Sequence, residues 1–75
     1  MAEDQELMAM LKAGSIEALE QLIERWRGKA EAYACSMLRD PQAAEDAVQE
    51  AFSRIYAART ILDERCSFSA YLFTI

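Results

Sequence analysis

Four polar side chains, Asp46, Gln49, Glu50 and Ser53, stand at i, i+3, i+4 and i+7 in the segment that follows Pro41. On a helix that spacing puts them on one face over about two turns. Two carboxylates, an amide and a hydroxyl so placed admit three readings. They can be a solvated face, steadied by a Glu50–Arg54 pair in the favourable i, i+4 order. They can dock a partner helix by accepting charge-assisted hydrogen bonds from its arginines and lysines. They can form a paired-carboxylate active site, but this needs a low-dielectric pocket to raise one pKa, and 75 residues leave little room for a cleft.

Other chemistries lack their residues. With no histidine, Ser-His-Asp and Cys-His catalysis, Cys2His2 zinc sites and carboxylate/histidine di-iron bundles are excluded. Cys35 and Cys66 are too few for a disulfide framework or a four-cysteine metal site, so inert free thiols are expected. There is no phosphate-binding glycine loop. The expectation is a protein that is not an enzyme and holds no metal or cofactor.

The formal charge is −5 and it is evenly spread, with four basic and seven acidic groups in residues 1–38 and four and six in residues 39–75. Neither half can hold duplex nucleic acid by neutralising phosphates. An acidic surface instead favours a basic protein partner. No apolar run approaches the roughly 18 residues of a membrane span. The opening Met-Ala-Glu-Asp-Gln-Glu is acidic, unlike a secretory signal. A soluble, cytoplasmic chain with no membrane partner is expected.

These side chains need elements to position them. Two glycines and one proline in a chain rich in Ala, Leu, Glu and Gln exclude a many-turned β fold and point to one all-α domain. Leu7, Met8, Met10 and Leu11 predict a short helix, closed by Gly14 in a left-handed cap. Ser15 is an N-cap for a long helix, whose apolar positions are Ile16, Leu19, Leu22, Ile23, Trp26, Ala30, Tyr33, Ala34, Met37 and Leu38. Gly28 falls on its polar side beside Glu24 and Glu31. Asp40-Pro41 stops that helix and caps the next one. The third helix has Ala44, Ala47, Val48, Ala51, Phe52 and Ile55 on its apolar face, opposite the polar stripe. Residues 59–66 lose periodicity and are expected to be a loop, and Ser67 caps a fourth helix from Phe68. The architecture expected is a compact bundle of four helices: short, long, long and short. The last one stops inside an apolar turn without a C-cap, so the chain is expected to be a piece of a longer protein.

Trp26, Tyr33, Phe52, Phe68, Tyr71 and Phe73 fall mostly at core positions, where packing is their default role. Tyr71 and Phe73 have an alternative as a base-stacking platform.

The run Ala44-Glu45-Asp46-Ala47-Val48-Gln49-Glu50-Ala51-Phe52, preceded by Leu38-Arg39-Asp40-Pro41, resembles the core of region 2 in bacterial sigma factors of the sigma-70 family. It is most similar to the extracytoplasmic-function (ECF) subgroup. Phe68-Ser69-Ala70-Tyr71-Leu72 is similar to that subgroup's Phe-x-x-Trp-Leu segment, with Tyr71 where tryptophan is usual. The Gly14-Ser15 turn and the long aromatic-bearing helix also match, so the resemblance covers essentially the whole chain.

The resemblance implies a region 2 domain over residues 1–75, truncated at its C-terminal end before the basic DNA-gripping extension, with the C-terminal DNA-binding domain absent. It implies core RNA polymerase as partner, bound through the clamp coiled coil of the β′ subunit by Asp46, Gln49, Glu50 and Ser53, with Phe52 anchoring the helix to its own domain. It also implies that the 59–67 segment captures an unpaired base of the −10 promoter element, with Arg59, Ile61, Leu62, Arg65, Ser67 and Tyr71 as DNA-binding residues and only within the holoenzyme. An anti-sigma factor is a further partner that such proteins can have. The rival reading is a helical interaction module outside transcription that self-associates through an exposed Tyr71-Leu72-Phe73-Ile75 end.

Overall fold

Side chains cap the starts of the second, third and fourth helices, and backbone turns close the ends of the first two, which satisfies orphan groups at those termini. In the computed structural model, which describes residues 2–63 and 65–74, α1 spans Asp4–Lys12, α2 Ile16–Leu38, α3 Pro41–Ala57 and α4 Phe68–Thr74, with a 3-10 turn at Arg59–Ile61. Among the described residues there are four helices and no strand. The all-α bundle expected from composition and periodicity is the fold.

The turn from α1 to α2 is a double cap. Ser15 N–H donates to the Met10 carbonyl and Gly14 N–H to the Leu11 carbonyl, both at 2.9 Å, the paired bonds of a Schellman ending. Gly14 sits at φ +106°, a conformation that favours glycine. Ser15 Oγ then accepts from the Ala18 N–H at 3.2 Å. At the next junction Asp40 Oδ1 accepts from the Gln42 and Ala43 N–H groups at 3.0 and 3.4 Å, with Pro41 in the first turn. The C-cap of α2 is Arg39, left-handed at φ 56°. Its position before Asp40-Pro41, not its residue type, marks it in the sequence.

The core joins Leu7, Met8 and Leu11 of α1, Ala18, Leu22 and Ala30 of α2, Val48, Ala51, Phe52 and Ile55 of α3, and Phe68 and Leu72 of α4. The helix α2 is the spine and packs mainly against α3 and α1. Phe68 lies at the middle of the aromatic cluster, with Phe52 stacked at 6.4 Å and Trp26 tilted at 6.5 Å.

The structure corrects four expectations. Ile16, Tyr33, Met37 and Leu38 keep the apolar phase of α2 yet are exposed. The nine-residue α1 and seven-residue α4 are too short to cover the whole spine. Ala47 is also exposed, because it lies beyond the contact arc of α3, beside an open groove lined by Tyr33, Met37, Leu38 and Phe73. The 59–66 loop contains the Arg59–Ile61 turn. Finally, the apolar end considered for self-association is only partly open. Leu72 is core and Tyr71 half-buried, while Phe73 is exposed and meets Tyr33 edge-on at 5.1 Å. Ile75 and, in the 59–66 loop, Glu64 lie outside the described residues.

Candidate functional site

The exposed side of α3 is created by burial of the other side. Ala44, Val48, Ala51, Phe52 and Ile55 turn inward, which leaves Asp46, Gln49, Glu50 and Ser53 all exposed on the outer surface. Glu50 Oε1 accepts from Arg54 Nη2 at 2.9 Å, and both side chains remain more than 60% exposed (62% and 64%). An exposed i, i+4 pair contributes only about 0.3–0.5 kcal/mol, so Glu50 can exchange it for a better partner. Asp46 Oδ1 accepts from Gln42 Nε2 at 3.2 Å. Among the described residues no side-chain hydrogen bond engages Gln49 or Ser53, so both retain their polar capacity for a partner.

The neighbouring helix divides the stripe. Gln49 and Ser53 line an open groove of about 410 Å³ between α2 and α3, whereas Asp46 and Glu50 lie outside it. Leu19, Ile23, Val48 and Phe52 supply its apolar surface, with Arg27, Glu31, Glu45 and Tyr56 around them. Sequence reasoning passed over this second group. A signal existed on α3, because Glu45, Gln49 and Tyr56 follow at i, i+4 and i+11 along one face. The α2 contribution had no local signal.

The second candidate surface is the segment 59–67. Ile61 is 80% exposed, the most open large apolar side chain among the described residues. Leu62 is 3% exposed and belongs to the core, where it holds the turn down and presents no wall to a ligand. Arg59 folds back onto α3: its Nη1 donates to the Tyr56 carbonyl at 2.9 Å and its guanidinium lies 4.2 Å from the Tyr56 ring centroid. Arg65 is open to solvent but engaged by Asp63, whose carboxylate accepts from the Arg65 Nε, Nη2 and backbone N–H, each at 3.0 Å.

The Arg65 side chain, then its backbone N–H, hold the Asp63 carboxyl below its ordinary 3.8, and the same pairing raises the Arg65 guanidinium. A depressed carboxylate pKa stabilises the turn above the ordinary value and ceases to do so as pH falls through the lowered one. Near neutrality the turn is closed and both ions are formed.

Ser67 is taken up as a cap, its Oγ accepting from the Ala70 N–H at 3.2 Å. Tyr71 is half-buried, and its hydroxyl accepts from the Asp63 backbone N–H at 2.7 Å. The structure therefore brings Asp63, Arg65 and Tyr71 together, sets Arg59 on Tyr56, and leaves Ile61 outermost. Asp63 was not singled out in the sequence, although an aspartate whose side chain can reach the backbone N–H two residues on is a turn signal.

Cys35 and Cys66 are free thiols, as expected. Among the described residues no group of three or more His, Cys, Asp or Glu is placed to hold a metal, and no helix is long and apolar enough to cross a membrane.

Comparison with known proteins finds that residues 22–75 match the family model described as Sigma-70 region 2. The matched span takes in α2 from Leu22 onward, α3 with its polar stripe, the 3-10 turn, the 59–67 segment and α4. No curated protein and no solved structure matches the chain.

Proposed function

The chain belongs to the sigma-70 region 2 family, a family of transcription initiation factors that interact with core RNA polymerase and promoter DNA and are not an enzyme class, and on that premise we propose that it is the polymerase-binding and −10-recognition domain of an ECF-type sigma factor. The domain assignment covers residues 1–75. The ECF reading rests on the run from Ala44 to Phe52 and on Phe68-Ser69-Ala70-Tyr71-Leu72.

The observation that carries the proposal is the exposed α3 stripe. Asp46, Gln49, Glu50 and Ser53 offer acceptors over two turns of a helix whose opposite face is locked into the core. A basic coiled coil, such as the clamp helices of β′, is the complementary partner. Docking replaces the weak Glu50–Arg54 pair with desolvated contacts. The apolar Ile61, flanked by Arg59 and Arg65, receives an unpaired base, with Leu62, Ser67 and Tyr71 supporting the segment from the domain side. Capture of such a base presumes a strand already opened within the holoenzyme. An anti-sigma protein that covers the same stripe is a further partner this reading admits.

The test is the affinity of the chain for bacterial core RNA polymerase. Gln49→Ala combined with Glu50→Ala removes two acceptors without touching Val48, Ala51, Phe52 or Ile55. Each lost charge-assisted contact is worth about 1.5–3 kcal/mol, so affinity falls about tenfold or more while the helical circular dichroism spectrum stays unchanged. The unpaired Arg54 then faces a basic partner, which weakens binding further, whereas Arg54→Ala alone preserves or improves it. Unchanged affinity of the double variant would return the stripe to a plain solvated face.

A further inference from the structure

We infer that the Tyr71 hydroxyl pins the 59–67 segment in the shape that presents Ile61, and so acts as a positioning group for capture of an unpaired base; this rests on the function proposed above for that segment. The Tyr71 ring packs against the core from α4. Its hydroxyl oxygen accepts from the Asp63 backbone N–H at 2.7 Å, and at a longer 3.5 Å it donates to the carbonyl of the same residue. A phenol can accept and donate at one oxygen, whereas an indole only donates. A tryptophan at this position could not receive the Asp63 N–H. The pin therefore belongs to the tyrosine that this chain carries.

Its place explains what it holds. On one side of Asp63 is Leu62, whose side chain is 3% exposed and seated in the core. On the other is the Asp63–Arg65 turn, closed by three hydrogen bonds at 3.0 Å. Leu62 anchors a side chain, and Tyr71 anchors the backbone one residue later. Between them they fix the direction in which the 3-10 turn leaves α3, and Ile61 then stands outward with 80% of its surface open. Without the second anchor nothing but the Leu62 side chain ties the segment to the core between the Arg59–Tyr56 contact and the Ser67 cap, and the exposed isoleucine loses part of its defined orientation. A strand that binds must then order the segment itself, which lowers affinity without altering any contact.

Two measurements on Tyr71→Phe and Tyr71→Trp test the pin. Backbone amide exchange of the 75-residue chain reads the hydrogen bond directly, since local opening exposes the Asp63 N–H. The second is the affinity of the chain's complex with core RNA polymerase for a fluorescein-labelled single-stranded DNA pool randomised through its centre. Loss of one hydrogen bond predicts exchange at Asp63 faster by about fivefold in both variants, and strand affinity lower by about threefold to tenfold. Amides of α2 and α3, and affinity for the polymerase itself, should stay within about twofold of wild type, because neither depends on the segment.

A purely structural tyrosine would lower protection throughout and weaken both affinities together, which would overturn the inference. Unchanged exchange at Asp63 would overturn the pin. Faster exchange with unchanged strand affinity would overturn the positioning role alone, leaving the proposed function in place. A wild-type complex that captures no single strand would instead overturn the role assigned to the segment, and the inference with it.

Discussion

Phe52 shows how far one side chain on α3 differs in its work from its neighbours. Gln49, three positions earlier, and Ser53, next in sequence, are exposed, while Phe52 is 5% exposed and stacked on Phe68 at 6.4 Å. Phe52→Ala removes the Phe52–Phe68 stacking between α3 and α4 and leaves a cavity in the core. The expected cost is about 3–5 kcal/mol, a large share of what so small a domain has to lose. Thermal melting followed by circular dichroism should lose its cooperative transition, and a wild-type curve would mean that the faces of α3 are wrongly assigned. Asp4 is a residue of another kind. Its carboxylate accepts from Arg25 Nη1 at 2.5 Å and Trp26 Nε1 at 2.9 Å, tying the start of α1 to the middle of α2. Those partners lie more than twenty positions away, and no local pattern announces them.

The two glycines show how an element assigns value to a residue. Gly28 lies inside α2, is exposed, and has no atom beyond its chain neighbours and the local helix backbone within 4 Å of where a Cβ would stand. Gly28→Ala should stabilise the domain by roughly 0.5–1 kcal/mol by removing the backbone freedom of glycine from a helix interior. That corresponds to a melting temperature higher by about 2–8 °C. Gly14 has equally open surroundings but sits at φ +106°. Gly14→Ala should therefore destabilise, by about 1–2 kcal/mol, through strain in the turn between α1 and α2. Opposite shifts of the two melting curves are the expected result. Shifts of the same sign would show that space, not backbone conformation, governs both sites.

At the scale of the whole molecule, charge governs what the chain can hold. A net −5, with eight basic groups against thirteen acidic, disfavours phosphate overall. Arg25, Arg54 and Arg65 are each paired with a carboxylate, and Arg59 is folded over Tyr56. Non-specific duplex affinity comes from lysine and arginine releasing condensed counterions. The chain alone should show no measurable duplex binding at physiological salt, and at most weak binding to a single strand. Fluorescence anisotropy with both forms of one oligonucleotide checks this. Tight, salt-sensitive duplex binding would place the DNA-contacting surface elsewhere than the segment 59–67.

What the sequence determined by itself is whatever local physics closes within a few residues. Ser15, Asp40 and Ser67 find their cap partners two or three positions on, Gly14 its turn, and Glu50 its Arg54 one turn away. The four helices and the polar stripe of α3 follow from such terms. Only the tertiary structure decided which apolar positions become core. Periodicity reports the phase of a helix face, not the length of the partner that covers it, so Tyr33, Met37 and Leu38 keep the right phase and stay open where α1 and α4 fall short. The same reason divides the stripe, since α2 raises one wall of the groove beside Gln49 and Ser53. It also sends Leu62 inward, because an aperiodic segment has no face until the helices around it supply one.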